Sequence, residues 1–400
     1  MKVLLVNKFL YPNGGSETYI FQLAQMLTSM GHEVQFFGME HANRTVGNRV
    51  ESYTSNMDFH TGKLQKLLYP FKIIYSKEAR RKIRAVLEDF QPDVVHLNNF
   101  NFQLTPSIIY EIKKHNIPII FTAHDYQLVC PSHLMVNGRT GKVCEKCANS
   151  GSIHCTKDRC IHGSFIKSLL GTIENKLYAA LKTYRFIDVV ICPSKFNQSQ
   201  LEKNLALKGR TLVMHNFISM EKQQDVEKQP YVLYFGRYSE EKGIRTLLKV
   251  CKRLEHIPFV FAGKGEYQEE IAKLPNAKEV GFQSGAALHK LIAEAQFTLH
   301  PSECHDNCPF AVMESQALGT PVIGAEVGGI PELVEIGKTG YVFESGNEEA
   351  LAKQIEQLWN DKEACQQMAE YCKTIDFMSC QEYCKELLGI YEQAIERYGK

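Results

Sequence analysis

Two acids, Asp306 and Glu314, stand eight positions apart in the stretch ECHDNCPFAVMESQALGTPVIG, just ahead of a short apolar run. Pro309 suits the first turn of a helix, because its missing N–H needs no partner there, and Gly319 suits the end of one. The stretch therefore predicts a loop carrying Asp306 and a helix carrying Glu314, with the N–H groups of Phe310 and Ala311 facing out of the helix start. Free N–H groups and the helix dipole make such a start an anion site. Carboxylates accept pairs of hydroxyl hydrogen bonds well. The pattern suits a ligand with a phosphate in the middle and polyols at both ends, which is the make-up of a sugar nucleotide.

Three further motifs carry candidate chemistry. In FGRYSEEKG (235–243) Arg237 offers a fork and Lys242 a point charge, a pair suited to clamping a diphosphate. With Glu240 and Glu241 balancing the charge, the same loop also reads as a solvated turn. In NGGSE (13–17) Gly14 and Gly15 let backbone approach a ligand closely, although the spacing is not the dinucleotide fingerprint and a bare tight turn is the plainer reading. In FTAHD, His124 sits at the end of an apolar run, either as a hydrogen-bonded core residue or as a group lining a site.

These residues need a scaffold, and the patterning predicts one. Short β-branched runs at 2–6, 33–39, 94–99, 117–125, 189–194 and 211–216 alternate with amphipathic segments. The alternation restarts at 231–236, 258–263, 277–282, 297–302 and 321–325. Alternation of this kind predicts parallel βαβ sheets, in which ligands sit beyond the carboxyl ends of the strands. The expected organisation is a doubly wound domain over 1–215, a charged linker at 216–229, a second doubly wound domain over 230–376, and a helix at 377–400 reaching back to the first domain. Length agrees, since 400 residues suit two cores.

Composition bounds the function. Charged residues make up 23% and the formal net charge is +1, which argues against nucleic-acid partners and against an acidic disordered chain. The amino terminus lacks a signal peptide's apolar run, and no segment offers the roughly 18 apolar residues of a membrane span, so the expectation is a cytoplasmic protein. Thirteen cysteines then read as thiols or metal ligands. Five of them lie in a long loop, 130–162: Cys130, Cys144 and Cys147, then Cys155 and Cys160, with His154 and His162 nearby. Cys144, Cys147, Cys155 and Cys160 suit a structural zinc, with Cys130 as an alternative ligand; free thiols or redox-linked pairs are the competing reading. Residues 61–86 hold Lys63, Lys66, Lys72, Lys77, Arg80, Arg81, Lys82 and Arg84 against Glu78 alone, interleaved with apolar residues. That reads either as a membrane-surface element or as a helix whose apolar side packs on a sheet.

The stretch HPSECHDNCPFAVMESQALGTPVIGAEVGGIPELV resembles the signature of the retaining glycosyltransferases of family 4, and GRYSEEKG, GGSE, AHD and VMHNFI match that family's other landmarks in order. The resemblance implies the GT-B fold, two Rossmann-like domains facing a cleft, with a nucleotide-sugar donor domain at the carboxyl side and an acceptor domain at the amino side. It implies that Arg237 and Lys242 bind the donor diphosphate, Glu314 the ribose hydroxyls and the Phe310 and Ala311 backbone the phosphates. Gly14, Gly15 and Gly263 join the donor-binding set. Asp306 would contact the transferred sugar and His124 would line the reaction centre. The family's first acid is normally Glu; here it is Asp306, one methylene shorter, and Glu303 is a rival whose spacing to Glu314 is wrong. The implied donor is a UDP-sugar, or else a GDP-sugar, and the implied acceptor a saccharide or lipid-linked saccharide in surface-polysaccharide assembly of the capsule or lipopolysaccharide kind. No catalytic metal is expected, and residues 61–86 would touch the inner face of the membrane. An epimerase of the same fold and a catalytically degenerate scaffold are the alternatives. A two-domain sugar-binding protein is disfavoured by the clustered phosphate cations.

Overall fold

A computed structural model describes residues 1–56, 73–219 and 226–399. The amino half of the basic stretch, 61–72, and the middle of the expected linker, 220–225, lie outside the described residues. The chain divides into two compact units, Met1–Asn216 with Cys380–Lys400, and Phe217–Ser379.

Unit 1 is built on a six-stranded sheet of β1 (Lys2–Val6), β2 (Glu33–Phe37), β3 (Val94–Leu97), β4 (Ile119–Thr122), β5 (Val189–Cys192) and β6 (Thr211–Val213), in the order β2-β1-β3-β4-β5-β6. Every pairing is parallel. Helices flank the sheet, so β1 is buried from Val3 to Val6 and reads as a continuous apolar run, the mark of a strand covered on both faces. Unit 2 repeats the design with β7 (Val232–Tyr238), β8 (Phe259–Gly265), β9 (Ala277–Glu279), β10 (Phe297–His300), β11 (Val322–Ala325) and β12 (Gly340–Phe343), in the order β12-β11-β10-β7-β8-β9. These are the two doubly wound sheets the alternation predicts. Strand β12 was not among the expected runs, because GYVF is four residues long and only half-buried at Tyr341 and Val342.

Helix α1 (Gly15–Ser29) follows β1, and α2 (Lys77–Phe90) follows β2 after a Ser76 cap whose side chain accepts from Ala79 N–H. Helix α2 turns Ala79, Ile83, Val86, Leu87 and Phe90 into the core. On α3 (Ser107–Lys114) the buried Glu111 carboxylate accepts from Arg80 Nη2 at 2.8 Å and Arg84 Nε at 2.6 Å. The hydrogen bond from Arg84 chiefly holds Glu111 down at about 2. Within its described part, the basic stretch therefore packs its apolar side inward and commits two of its cations to an internal pair. Among the described residues no helix is long and apolar enough to cross a membrane.

The chain returns to unit 1 as α4 (Cys380–Glu396), which a buried polar chain fastens to the sheet. Tyr383 and Tyr19 share a hydrogen bond at 2.9 Å, and Tyr19 reaches Thr122 Oγ1 at 3.2 Å. Thr122 meets His96 Nε2 at 2.7 Å, and His96 Nδ1 meets the Tyr391 hydroxyl at 2.6 Å. All five side chains are almost fully buried, so each polar atom depends on its neighbour in the chain. Removing the Tyr391 hydroxyl leaves His96 Nδ1 without that partner. Tyr391→Phe is expected to lower the stability of the transition that monitors unit 1 by about 1–3 kcal/mol in urea titration.

Candidate active site

The carboxyl edge of the unit 2 sheet collects the predicted donor residues. Arg237 belongs to the last residues of β7, and a single 3₁₀ turn, Glu240–Lys242, follows it. Gly243 comes next with φ +72°, where a Cβ would lie 1.8 Å from the Pro301 carbonyl oxygen. Only glycine tolerates that conformation and that approach. The tight turn sends α5 (Ile244–Arg253) away and leaves Lys242 facing the loop after β10. The two loops are stitched directly, Glu303 N–H donating to the Glu241 carbonyl at 2.9 Å.

Asp306 is the centre of this edge. Its carboxylate accepts from Lys242 Nζ at 2.6 and 2.8 Å, from His300 Nε2 at 2.9 Å and from Ser302 Oγ at 2.7 Å. Burial alone would raise its pKa, but the Lys242 ammonium and the His300 hydrogen bond hold the carboxyl far below the usual carboxylate range. Burial likewise works against the charge on Lys242, and Asp306 more than offsets it. Asp306 is thus spent on positioning Lys242. The contact with a transferred sugar expected of Asp306 would come from a carboxylate that already accepts from Lys242, His300 and Ser302. Sequence reasoning missed His300 and Ser302, although both flank the end of β10 where strand-end logic points. Glu303, the rival acid, accepts from Thr246 Oγ1 at 2.5 Å and so is tied to α5.

Helix α6 (Phe310–Ala317) begins as expected, with Pro309 at its amino cap and Gly319 beyond its end at φ +69°. Its first-turn N–H groups, those of Phe310 and Ala311, have no acceptor within the helix. Glu314 lies one turn further on, half-buried, and desolvation pushes its carboxyl up to about 7. Arg237 is mostly exposed, at 69%, with Nη2 3.7 Å from Glu241, and its charge is close enough to oppose, without reversing, the upward shift of Lys242. Gly263, expected in the donor set, is dictated by the backbone: a Cβ there would lie 1.9 Å from the Gly236 carbonyl oxygen, across the β7–β8 pair.

The carboxyl edge of the unit 1 sheet carries the other predicted residues. Gly14 is the extended residue before α1 and Gly15 its first residue. Glu17 is buried, accepting from Asn7 Nδ2 at 2.8 Å and Ser16 Oγ at 3.0 Å. Ser16 Oγ in turn accepts from Asn99 Nδ2 at 2.9 Å, and Asn99 N–H donates to Asn7 Oδ1 at 3.0 Å. This network fixes the glycine turn against the ends of β1 and β3. His124 follows β4, donates from Nε2 to Asn98 Oδ1 at 2.8 Å and meets Tyr19 edge-on at 4.8 Å. Burial pushes its pKa down to about 3, so the ring is neutral at physiological pH. Asn7, Asn98 and Asn99 escaped the sequence reading, yet the NN ending the third apolar run was the signal for Asn98 and Asn99.

In the cysteine loop, Cys130 Sγ lies 3.2 Å from Ser132 Oγ and Cys147 Sγ faces the Ser152 carbonyl at 3.8 Å; among the described residues no group of three or more His, Cys, Asp or Glu, the expected ligands Cys144, Cys147, Cys155 and Cys160 included, is placed to hold a metal ion. A separate cavity of about 550 Å³ opens at the amino ends of the unit 2 strands, lined by Lys228, Gln296, Gly319 and Lys373 among others, away from the residues above.

Comparison with known proteins accords with this layout. The model of "Glycosyltransferase Family 4" matches residues 13–222 and that of "Glycosyl transferases group 1" matches residues 216–374. The sulfoquinovosyl transferase SQD2 of Arabidopsis thaliana is 31% identical over 142 residues, 34% of this chain and 28% of its own. The lipopolysaccharide 1,2-N-acetylglucosaminetransferase of Salmonella typhimurium is 29% identical over 220 residues, 47% of this chain and 57% of its own. The chain thus spans between a quarter and three fifths of the length of these two relatives. The crystal structure of HepE from Anabaena in complex with UDP superposes with a TM-score of 0.68 at 16% identity, covering 98% of this chain and all of that one. Two parallel six-stranded sheets, a cation pair and an anion-ready helix start at the carboxyl edge of the second, and family models that together run from residue 13 to residue 374 place this chain among the GT-B glycosyltransferases of family 4.

Proposed function

We propose that this protein is a retaining glycosyltransferase that moves a sugar from a UDP-sugar to a saccharide or lipid-linked saccharide acceptor in surface-polysaccharide assembly. The observation that carries the reading is the Lys242 ammonium, fixed by Asp306 beside Arg237 at the carboxyl edge of the unit 2 sheet. Arg237 and Lys242 neutralise the diphosphate, and the Phe310 and Ala311 N–H groups receive phosphate oxygens. This fixed positive charge supplies what leaving-group departure requires, so no divalent ion is invoked. Glu314 accepts the ribose hydroxyls. The acceptor attacks on the face the diphosphate leaves, and the departing phosphate oxygen takes the acceptor's proton, so no protein base is needed. His124, neutral and with its Nε2 proton given to Asn98, offers Nδ1 as an acceptor to a sugar hydroxyl and does not act as nucleophile.

The uracil base is favoured over guanine by the UDP in the HepE structure, and the saccharide acceptor by the name of the Salmonella relative. Peripheral membrane contact, if it serves a lipid-linked acceptor, falls to Lys77, Arg81 and Lys82 in the described part of the basic stretch, because Arg80 and Arg84 are held by Glu111.

Turnover is the direct test. With UDP-sugars and a membrane extract as acceptor source, Lys242→Ala, Asp306→Ala and Glu314→Ala should each reduce acceptor-dependent UDP release by about 100-fold or more. Activity within a factor of a few in any of the three would contradict the assignment of that residue. Glu314 adds a pH signature. Its raised pKa favours the protonated form in the folded protein, so stability falls as pH rises from about 4.5 to about 7 and is level above that. Ribose binding needs the ionised carboxylate. UDP affinity should therefore rise about tenfold between pH 6 and 8 in excess of the slope measured for Glu314→Gln, read by calorimetry.

A further inference from the structure

Between the cysteine-rich loop and β5 the chain forms α7 (Phe165–Ala180), capped by Ser164, whose side chain accepts from Lys167 N–H. A helix lying on a globular domain turns its apolar stripe inward and its polar face out. Helix α7 does the reverse. Its buried positions are Ser168, Gly171, Thr172, Glu174 and Tyr178. Ser168 Oγ accepts from Ile161 N–H at 3.0 Å, and Thr172 Oγ1 accepts from Thr156 Oγ1 at 2.8 Å and donates to the Ser152 carbonyl at 3.0 Å. Gly171 permits the close approach, since a Cβ there would lie 2.6 Å from Ile161 Cδ1. The inner face is thus small and held by hydrogen bonds.

The large apolar residues face outward. Ile166, Leu169, Leu170, Ile173 and Leu177 recur at the i, i+3, i+4, i+7 and i+11 steps of a single helical stripe. Ile166 is 68% exposed and Ile173 42%, while Leu169, Leu170 and Leu177 are half-buried. Phe165 at one end and Leu181 just past the other are 52% and 51% exposed. Apolar residues exposed singly are ordinary on any surface, but a run of them along one helix is a patch, and such patches mark contact with a partner.

The charge around the stripe selects the partner. From 165 to 185 the cations are Lys167, Lys176, Lys182 and Arg185, and the only acid, Glu174, is buried. With 3.6 residues per turn, Lys167 and Lys176 stand about a quarter turn to either side of the stripe, from where long stems carry their ammonium groups outward. Lysine is depleted from protein–protein interfaces. An apolar face edged with cations and without an exposed acid complements the acyl boundary of a bilayer with anionic headgroups. The Tyr178 hydroxyl also donates to the Ile74 carbonyl at 2.7 Å, which sets α7 beside the approach to α2, where Lys77 is exposed.

We propose that the outer face of α7 is a membrane-docking surface: Ile166, Ile173 and Leu177 enter the headgroup–acyl boundary of a bilayer containing anionic lipid, and Lys176 and Lys182 meet its headgroups. The proposal deepens the lipid-linked acceptor reading, because it supplies the apolar contact that the cations of α2 lack and brings unit 1 to the surface in which such an acceptor is embedded.

Full-length protein should co-sediment with vesicles of phosphatidylcholine and phosphatidylglycerol, and far less with phosphatidylcholine alone. Ile166→Ser combined with Ile173→Ser should weaken that binding about tenfold or more. Lys176→Ser combined with Lys182→Ser should weaken it and flatten its dependence on salt. The substituted residues are exposed, so far-UV circular dichroism should match wild type in both variants. Ile166→Trp should give fluorescence quenched by brominated lipid in excess of wild type, whose one tryptophan, Trp359, belongs to unit 2. Vesicle binding needs no nucleotide, so failure of UDP to bind would strike the transferase reading and leave this one standing. Wild type that ignores anionic vesicles, or binding that the paired isoleucine substitutions leave unchanged, would overturn the proposal. So would a dimer that those substitutions dissolve in protein that binds no vesicles, since the face would then belong to a second copy of the chain.

Discussion

The donor edge of this molecule depends on one half-buried ion pair. Asp306 keeps its negative charge in a site that would otherwise neutralise it because Lys242, His300 and Ser302 converge on the two carboxylate oxygens. These donors come from the loop after β7, the end of β10 and the loop following it. One carboxylate therefore fixes the relative positions of two adjacent strand ends. A partly desolvated pair of this kind is poor evidence for stability, since its desolvation cost rivals its attraction, and better evidence for placement. Its effect here is to hold an ammonium at the strand end that a phosphate would approach, at no cost of reorganisation when the phosphate arrives.

A second polar chain does comparable work in unit 1. The run Tyr383, Tyr19, Thr122, His96, Tyr391 ties the last helix to α1, β3 and β4 through atoms that have no access to water. Tyr19 also contacts His124 edge-on, so the helix that closes the chain supports the ring at the end of β4. The Asn7, Ser16, Glu17, Asn99 network does the same for the glycine turn. In both units the residues facing the carboxyl edges are held by buried polar partners contributed from distant parts of the sequence.

That distance explains what was legible beforehand. The strands, the helix starting at Phe310, the Gly243 turn and the cation pair rest on local signals, namely apolar runs, a proline at a first turn and a glycine where φ is positive. All of these appear in the structure near their expected positions. The partners of Asp306 are different: nothing in the spacing says that its short side chain reaches Lys242, 64 residues away. Strand β12 was lost for a simpler reason, because a four-residue edge strand with two half-buried positions carries little pattern.

The central claim is that the carboxyl edge of the unit 2 sheet is a metal-independent nucleoside diphosphate site. Calorimetric titration of the protein with UDP, GDP and ADP in the presence of a chelator tests it most directly. The account predicts one-to-one binding of UDP that is abolished in Arg237→Ala; no binding of any of the three, or UDP binding that Arg237→Ala leaves unchanged, would contradict it.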